Sequence, residues 1–275
     1  MKGKLTLDEL LEIYKCDDAN CNANTKNIYE NLNDIGAIKS TEELGIELIK
    51  RLNDESILKT IDVYLDIAKI DLNDYKILFD SKSYANAIYH LEQSIEKVAK
   101  GVYFLLLSNP SPKKISHRPF NVIVDFIKEY KIFKILEKNY SPSFLDIIDN
   151  ELGDENKILK INKSEFENFM KILDYLNDLV IPIPKKQFEN NNDYFLNIGN
   201  HLVRVLPQIY IFSKLLYLHE SYTRYPDAQN KLQPSDYTLD LGIVDLSLYI
   251  SDKIQKTIDI MIDMIEVVRN NKPKI

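Results

Sequence analysis

The stretch Tyr75–Leu107, YKILFDSKSYANAIYHLEQSIEKVAKGVYFLLL, carries the strongest pattern in this 275-residue chain. Within it Tyr84, Ala87, Ile88, Leu91, Ile95, Val98, Val102 and Leu105 recur at steps of three and four. That is the period of one face of an α-helix and not the strict alternation of a strand. The spacing predicts an amphipathic helix of several turns. Asn109-Pro-Ser-Pro112 closes it, because proline lacks the N–H that would continue the helical ladder.

The same period extends outward in both directions. Upstream, a helix following Asp54 places Ile57, Ile61, Tyr64, Leu65 and Ala68 on one face. Asp71-Leu-Asn-Asp74 reads as a break. Thr6–Glu9, Ser40–Glu43 and Ser164–Glu167 each have the hydroxyl and the carboxylate of a capping box, and mark three helix starts. Downstream, helices are expected from Pro119 to about Lys138 and from Ser164 to Val180, the latter stopped by Ile181-Pro-Ile-Pro184. Pro184 to Asn192 is polar and reads as an exposed loop. A helix from about Leu196 to Tyr222 is apolar nearly all round between Leu202 and Leu218, which predicts a buried central position, and Pro207 should kink it. The last helix, about Thr238 to Val268, carries the stripe Leu239, Ile243, Leu246, Ile250, Ile254, Ile258, Met261, Ile265 and Val268. The fold class is therefore all-α: an up-and-down bundle of long helices with extra N-terminal and inserted helices. The expected division is an N-terminal extension at 1–73, a bundle at 74–270 and a polar tail at 271–275.

Composition agrees. Only 7 glycines are present, too few for the positive-φ turns of a hairpin-rich sheet fold. The formal net charge of −7 excludes whole-molecule attraction to nucleic acid, so any such contact needs a local patch drawn from the 35 Lys and Arg residues. The two cysteines, Cys16 and Cys21, have no second Cys or His pair to complete a tetrahedral site, and neither a metal nor another cofactor is expected. No apolar leader opens the chain and no window reaches the length of a membrane span. A cytoplasmic, membrane-free protein is expected.

Two segments resemble the HEPN family (higher eukaryotes and prokaryotes nucleotide-binding). Ser83–Lys100, SYANAIYHLEQSIEKVAK, is similar to the family's opening helix, with small residues, then Glu-Gln, then Glu-Lys one turn on. Tyr222-Thr-Arg-Tyr-Pro-Asp-Ala228 is similar to the Arg-Tyr-Pro turn between its last two helices. The resemblance spans about 75–270. It implies a four-helix bundle that dimerises, a role near RNA or nucleotides, and a defence or toxin–antitoxin setting. Some members are metal-independent ribonucleases marked by an Arg and, after four to six intervening residues, a His. Others accompany a separate nucleotidyltransferase chain. Here Arg224 is followed through Lys231 without a histidine, so the ribonuclease signature is absent.

RNA cleavage through the 2′-hydroxyl needs a base that titrates near neutrality and a fixed cation for the phosphate, the roles of imidazole and guanidinium. The weak catalytic candidates are accordingly Arg224, His219 and His117. The ligand-binding candidates are Arg224, Tyr225, Asp227, Arg118, Glu92 and Glu96. Each has a structural alternative. Arg224 can simply satisfy the last carbonyls of a helix. His219 can be a core histidine, and His201 with Arg204 can serve structural hydrogen bonding. His117 and Arg118 can belong to a turn capped by Ser116. Glu92 and Glu96 can lie on a solvated Glu–Lys face. Three functions follow: a non-catalytic HEPN-like homodimer that binds RNA, nucleotide or a partner; a divergent ribonuclease using Arg224 with His219 or His117; or a helical protein–protein module without a ligand.

Overall fold

The computed structural model describes residues 46, 48–106, 158–159, 161–167, 170, 191–225 and 232–270. Among them every regular element is helical. The four long helices are α1 (Glu55–Asp80), α2 (Tyr84–Leu106), α3 (Asn191–Arg224) and α4 (Gly242–Asn270), with a short 3-10 turn at Pro234–Asp236 before α4. The expected all-α class holds. The first two capping boxes, the 119–138 helix, His117, Arg118 and Asp227 lie outside the described residues.

Helix α1 starts at Asp54, whose extended backbone and side-chain oxygen make it the N-cap: Oδ1 accepts from the Ser56 N–H at 2.9 Å and from the Ser56 hydroxyl at 2.7 Å. These bonds hold the Asp54 carboxyl below its ordinary value. Leu58, Ile61, Leu65, Ala68, Leu72 and Tyr75 then form one buried stripe. The break expected at Asp71–Asp74 does not occur; α1 runs straight through it. Leu72 and Tyr75 continue the stripe, and their packing outweighs a helix-propensity penalty of roughly 0.5 kcal/mol for each Asp and Asn.

The true interruption lies inside the stretch expected to be one helix. At Ser81–Ser83 the Ser83 N–H bonds the Leu78 carbonyl (2.8 Å) and the Lys82 N–H bonds the Phe79 carbonyl (2.9 Å). This is a Schellman cap, with Lys82 in the left-handed region at φ 61°. Glycine would have signalled it in sequence; lysine conceals it.

The cap reverses the chain, and α2 returns antiparallel to α1. Ser94 donates to the Ala68 carbonyl at 2.8 Å, His90 meets Asp71, and Tyr64 stacks on Phe104. Helix α3 runs back along α2, with Arg224 beside Tyr89. Helix α4 returns along α3, where Thr257 donates to Gln208 Oε1 at 2.6 Å. It also closes on α1. The Tyr75 hydroxyl lies 2.8 Å from Ser247 Oγ; because Ser247 gives its own proton to the Val244 carbonyl, Tyr75 is the donor. Arg269 pairs with Asp62 at the other end. The four described helices thus form an up-and-down bundle, with α1 as a full member of it.

Both interior helices show their position in burial. Residues 205–213 of α3 are buried without interruption, as the apolar run predicted. Helix α2 buries the predicted stripe from Ala87 to Leu105, with Tyr84 half-buried, and also Glu92, Ser94, Glu96 and Gly101. In α4 the stripe from Ile243 to Val268 is buried, but Leu239 precedes the helix and is exposed. The helix expected from Ser164 is capped two residues earlier, where Asn162 Oδ1 accepts from the Glu165 N–H (3.0 Å) and Glu165 Oε2 accepts from the Asn162 N–H (3.1 Å). Both capping patterns exist in the sequence; the asparagine one wins. No described helix is long and apolar enough to cross a membrane.

Lys82→Gly should stabilise the protein by about 1 kcal/mol, since glycine removes the cost of a left-handed L-residue; an unchanged or lower urea midpoint would contradict the cap. Two glycines should respond in opposite ways. A Cβ at Gly101 would meet Ile61 and Tyr64 at an ordinary 3.7 Å, whereas one at Gly242 would stand 1.9 Å from the Ile161 carbonyl oxygen. Thermal melts should show Gly101→Ala neutral or stabilised by up to about 1 kcal/mol and Gly242→Ala destabilised by roughly 1–3 kcal/mol.

Candidate functional site at the end of α3

At the end of the bundle where α3 finishes and α2 begins, polar side chains replace the apolar packing. The solvated Glu–Lys face expected for α2 is instead interior: Glu92 and Glu96 are each only 2% exposed. The periodicity had put them beside the apolar stripe, and α3 packs over that flank.

The two carboxylates are held differently. Glu96 pairs with Lys100, and Lys97 Nζ lies 3.6 Å from the same oxygen. Glu92 accepts a 2.7 Å bond from Gln93 Nε2, and Gln93 Oε1 accepts from Lys97 at 2.7 Å. Burial, and next the negative charge of Glu96, push the Glu92 carboxyl up to about 8; Glu220 adds to the rise, and the Gln93 bond and Lys97 oppose it. Glu92 is therefore largely protonated at neutral pH, a neutral acid inside the bundle.

Glu220 comes from α3, one turn before its end. Arg224, the last residue of α3, sets its guanidinium 3.5 Å from Glu220 Oε1. The guanidinium carbon lies 5.0 Å from the Tyr89 ring centre and 5.2 Å from that of Tyr225. Both distances are within cation–π range. Burial raises the Tyr89 phenol above its ordinary value, while the Arg224 charge pulls it down. Arg224 keeps 43% of its side-chain surface open, and Tyr225 is 55% exposed. A planar cation is thus braced by a carboxylate and two rings while part of its side chain stays exposed, a geometry suited to an anionic oxygen pair.

His219 does not face this cation from solvent. It is fully buried, with Nδ1 2.7 Å from the Tyr237 hydroxyl and the two rings edge to face. Burial pushes it down to about 3, so it is neutral at neutral pH. It joins α3 to the residue after the 3-10 turn, and its carbonyl accepts from the Thr223 hydroxyl at 2.7 Å. His201 is half-buried and Arg204 exposed.

The structure therefore gathers Glu92, Arg224 and Tyr225 of the sequence candidates, keeps Glu96 with its lysines nearby, and sets His219 in the core. Tyr89 and Glu220 belong to the same constellation and were not anticipated. Their signal was present as spacing: Glu220 precedes Arg224 by four residues, and Tyr89 precedes Glu92 by three, so each pair shares a helix face.

A family model described as the HEPN domain matches residues 61–173. The match begins inside α1, earlier than the expected start near Tyr75, and includes Tyr89, Glu92 and Glu96; Glu220 and Arg224 lie beyond it. No curated protein and no solved structure matches the chain. The match supports, at the level of the family, a helical protein related to nucleotides or RNA.

Glu92 imposes a pH dependence. Its folded-state value lies above its unfolded one, so the native state binds the extra proton between about 4.5 and about 8. The stability it contributes is fully present below the unfolded value and falls as pH rises through that window. Glu92→Gln should flatten the decline, leaving the melting temperature near its wild-type value at the acid end and raising it at pH above about 8; parallel wild-type and variant curves would show that Glu92 is not buried as an acid.

Proposed function

We propose that this HEPN-domain protein binds RNA or a nucleotide without cleaving it, at the groove around Arg224. The observation that carries the proposal is the Arg224 guanidinium, braced by Glu220, Tyr89 and Tyr225 while still open to solvent. In this reading the guanidinium fork takes two phosphate oxygens and the exposed Tyr225 ring offers a face for a base. A protonated Glu92 fits the role, because it leaves the phosphate facing one fewer negative charge. With a net charge of −7 on the chain, binding rests on this local cation and weakens with salt, with the shallow slope of a single phosphate contact.

A general base must reach the 2′-hydroxyl, which His219 cannot do, because it is sealed in the core and bonded to Tyr237. The family likeness supports the remaining parts of the proposal, a homodimer in a defence or toxin–antitoxin setting. A separate nucleotidyltransferase chain is the protein partner it suggests.

Fluorescence anisotropy with a short labelled single-stranded RNA and with labelled ATP tests the site. Arg224→Ala should weaken binding about tenfold or more, the loss expected for a charged hydrogen-bonding group. Arg224→Lys should recover only part, because an ammonium lacks the planar fork. The RNA should remain intact. Absence of binding at low salt, or binding indifferent to Arg224, would leave a helical interaction module; metal-independent cleavage abolished by Arg224→Ala would overturn the non-catalytic assignment.

A further inference from the structure

Beside this groove, Asp71 and Asp74 of α1 and His90 of α2 point at one another. Asp71 Oδ1 is 3.0 Å and Asp74 Oδ2 4.0 Å from His90 Nδ1, and one ligand atom from each residue lies within 4.8 Å of the other two. All three side chains are partly buried. Among the described residues no Lys or Arg pairs with either aspartate; the imidazole is the group they share.

We propose that Asp71, Asp74 and His90 form a binding site for a divalent first-row transition ion, of which Zn2+ is the first choice. One imidazole and two carboxylates are the donor set that zinc, cobalt and manganese accept, whereas calcium and magnesium prefer oxygen alone. Bonds of about 2.1 Å place neighbouring ligand atoms roughly 3.0–3.4 Å apart. The Asp71–His90 pair already has that spacing, and Asp74 reaches it by a side-chain rotation at its half-exposed position. The scaffold is stiff: Ser94 bonds the Ala68 carbonyl one turn away, and Tyr75 is anchored to Ser247. The aspartates occupy i and i+3 of one helix, so both face α2. Three protein ligands leave coordination positions for water. The ion would clip α1 to α2, next to the Tyr89 ring, which packs edge-on against His90 at 5.3 Å. The site does not depend on nucleotide binding at Arg224.

Titration of metal-free, full-length protein with Co2+ and Zn2+ tests the proposal by absorption and calorimetry. One ion per chain is expected, with a cobalt spectrum free of thiolate charge transfer and a melting temperature that rises with Zn2+ concentration. His90→Gln and Asp71→Asn should each weaken binding at least about tenfold. Asp74→Asn serves as the milder variant should either of these fail to fold, with a loss of the same sign. A Cys16→Ser, Cys21→Ser double variant should bind as wild type. No bound ion, affinity unchanged by the ligand variants, or a thiolate band that disappears with the cysteines would overturn the site.

Discussion

Everything at the functional end of the bundle depends on carboxylates held inside it. Helix α2 is covered by α1, α3 and α4, so Glu92 and Glu96 cannot reach water on their own helix. Removing a charged carboxylate from water is prohibitive unless it is paired or protonated. The protein uses both solutions on adjacent turns: Glu96 takes two lysines, and Glu92 keeps its proton. Since α3 brings a third carboxylate, Glu220, to the same place, a cation is required there. Arg224 supplies it, and its partial exposure follows from standing at the last turn of α3.

The α1–α2 hairpin provides the rigidity on which that arrangement rests. Its two helices are joined by a three-residue turn and locked in register by Ser94, His90 and the Tyr64–Phe104 stack. Tyr89 and His90 are consecutive on α2 and diverge by about 100° around the helix axis. One therefore underlies Arg224 while the other meets Asp71. The Arg224 cluster and the proposed metal site are neighbours because of that single helical step.

Much of the bundle was legible in the residues. The apolar stripes of α1, α2 and α4 and the all-round apolarity of α3 are properties of spacing, and burial follows most of each stripe, with Ile57, Tyr64 and Tyr84 half-buried and Leu239 exposed. Errors arose where local signals compete with packing. Asp71-Leu-Asn-Asp74 has poor helix formers, yet Leu72 and Tyr75 keep the helix intact by filling the core. Ser81-Lys-Ser83 lacks glycine, so the true turn was hidden by a lysine in a conformation glycine normally takes. For the site, Arg224, Tyr225 and Glu92 were legible as chemistry-bearing residues in suggestive motifs, and His219, weighed there as a core histidine, is one.

The order of residues alone specified an all-helical protein, the faces its helices bury and the absence of a histidine after Arg224, because these depend on periodicity and local chemistry along one segment. It did not specify which charged groups are buried or whom they meet. Glu92 is an unusually weak acid because packing buries it beside Glu96. His219 is inert because the core surrounds it, and Asp71 finds His90 only because a concealed turn folds α2 back on α1. Desolvation and proximity between segments far apart in the chain are set by packing, and packing is what turned a periodic pattern into a site.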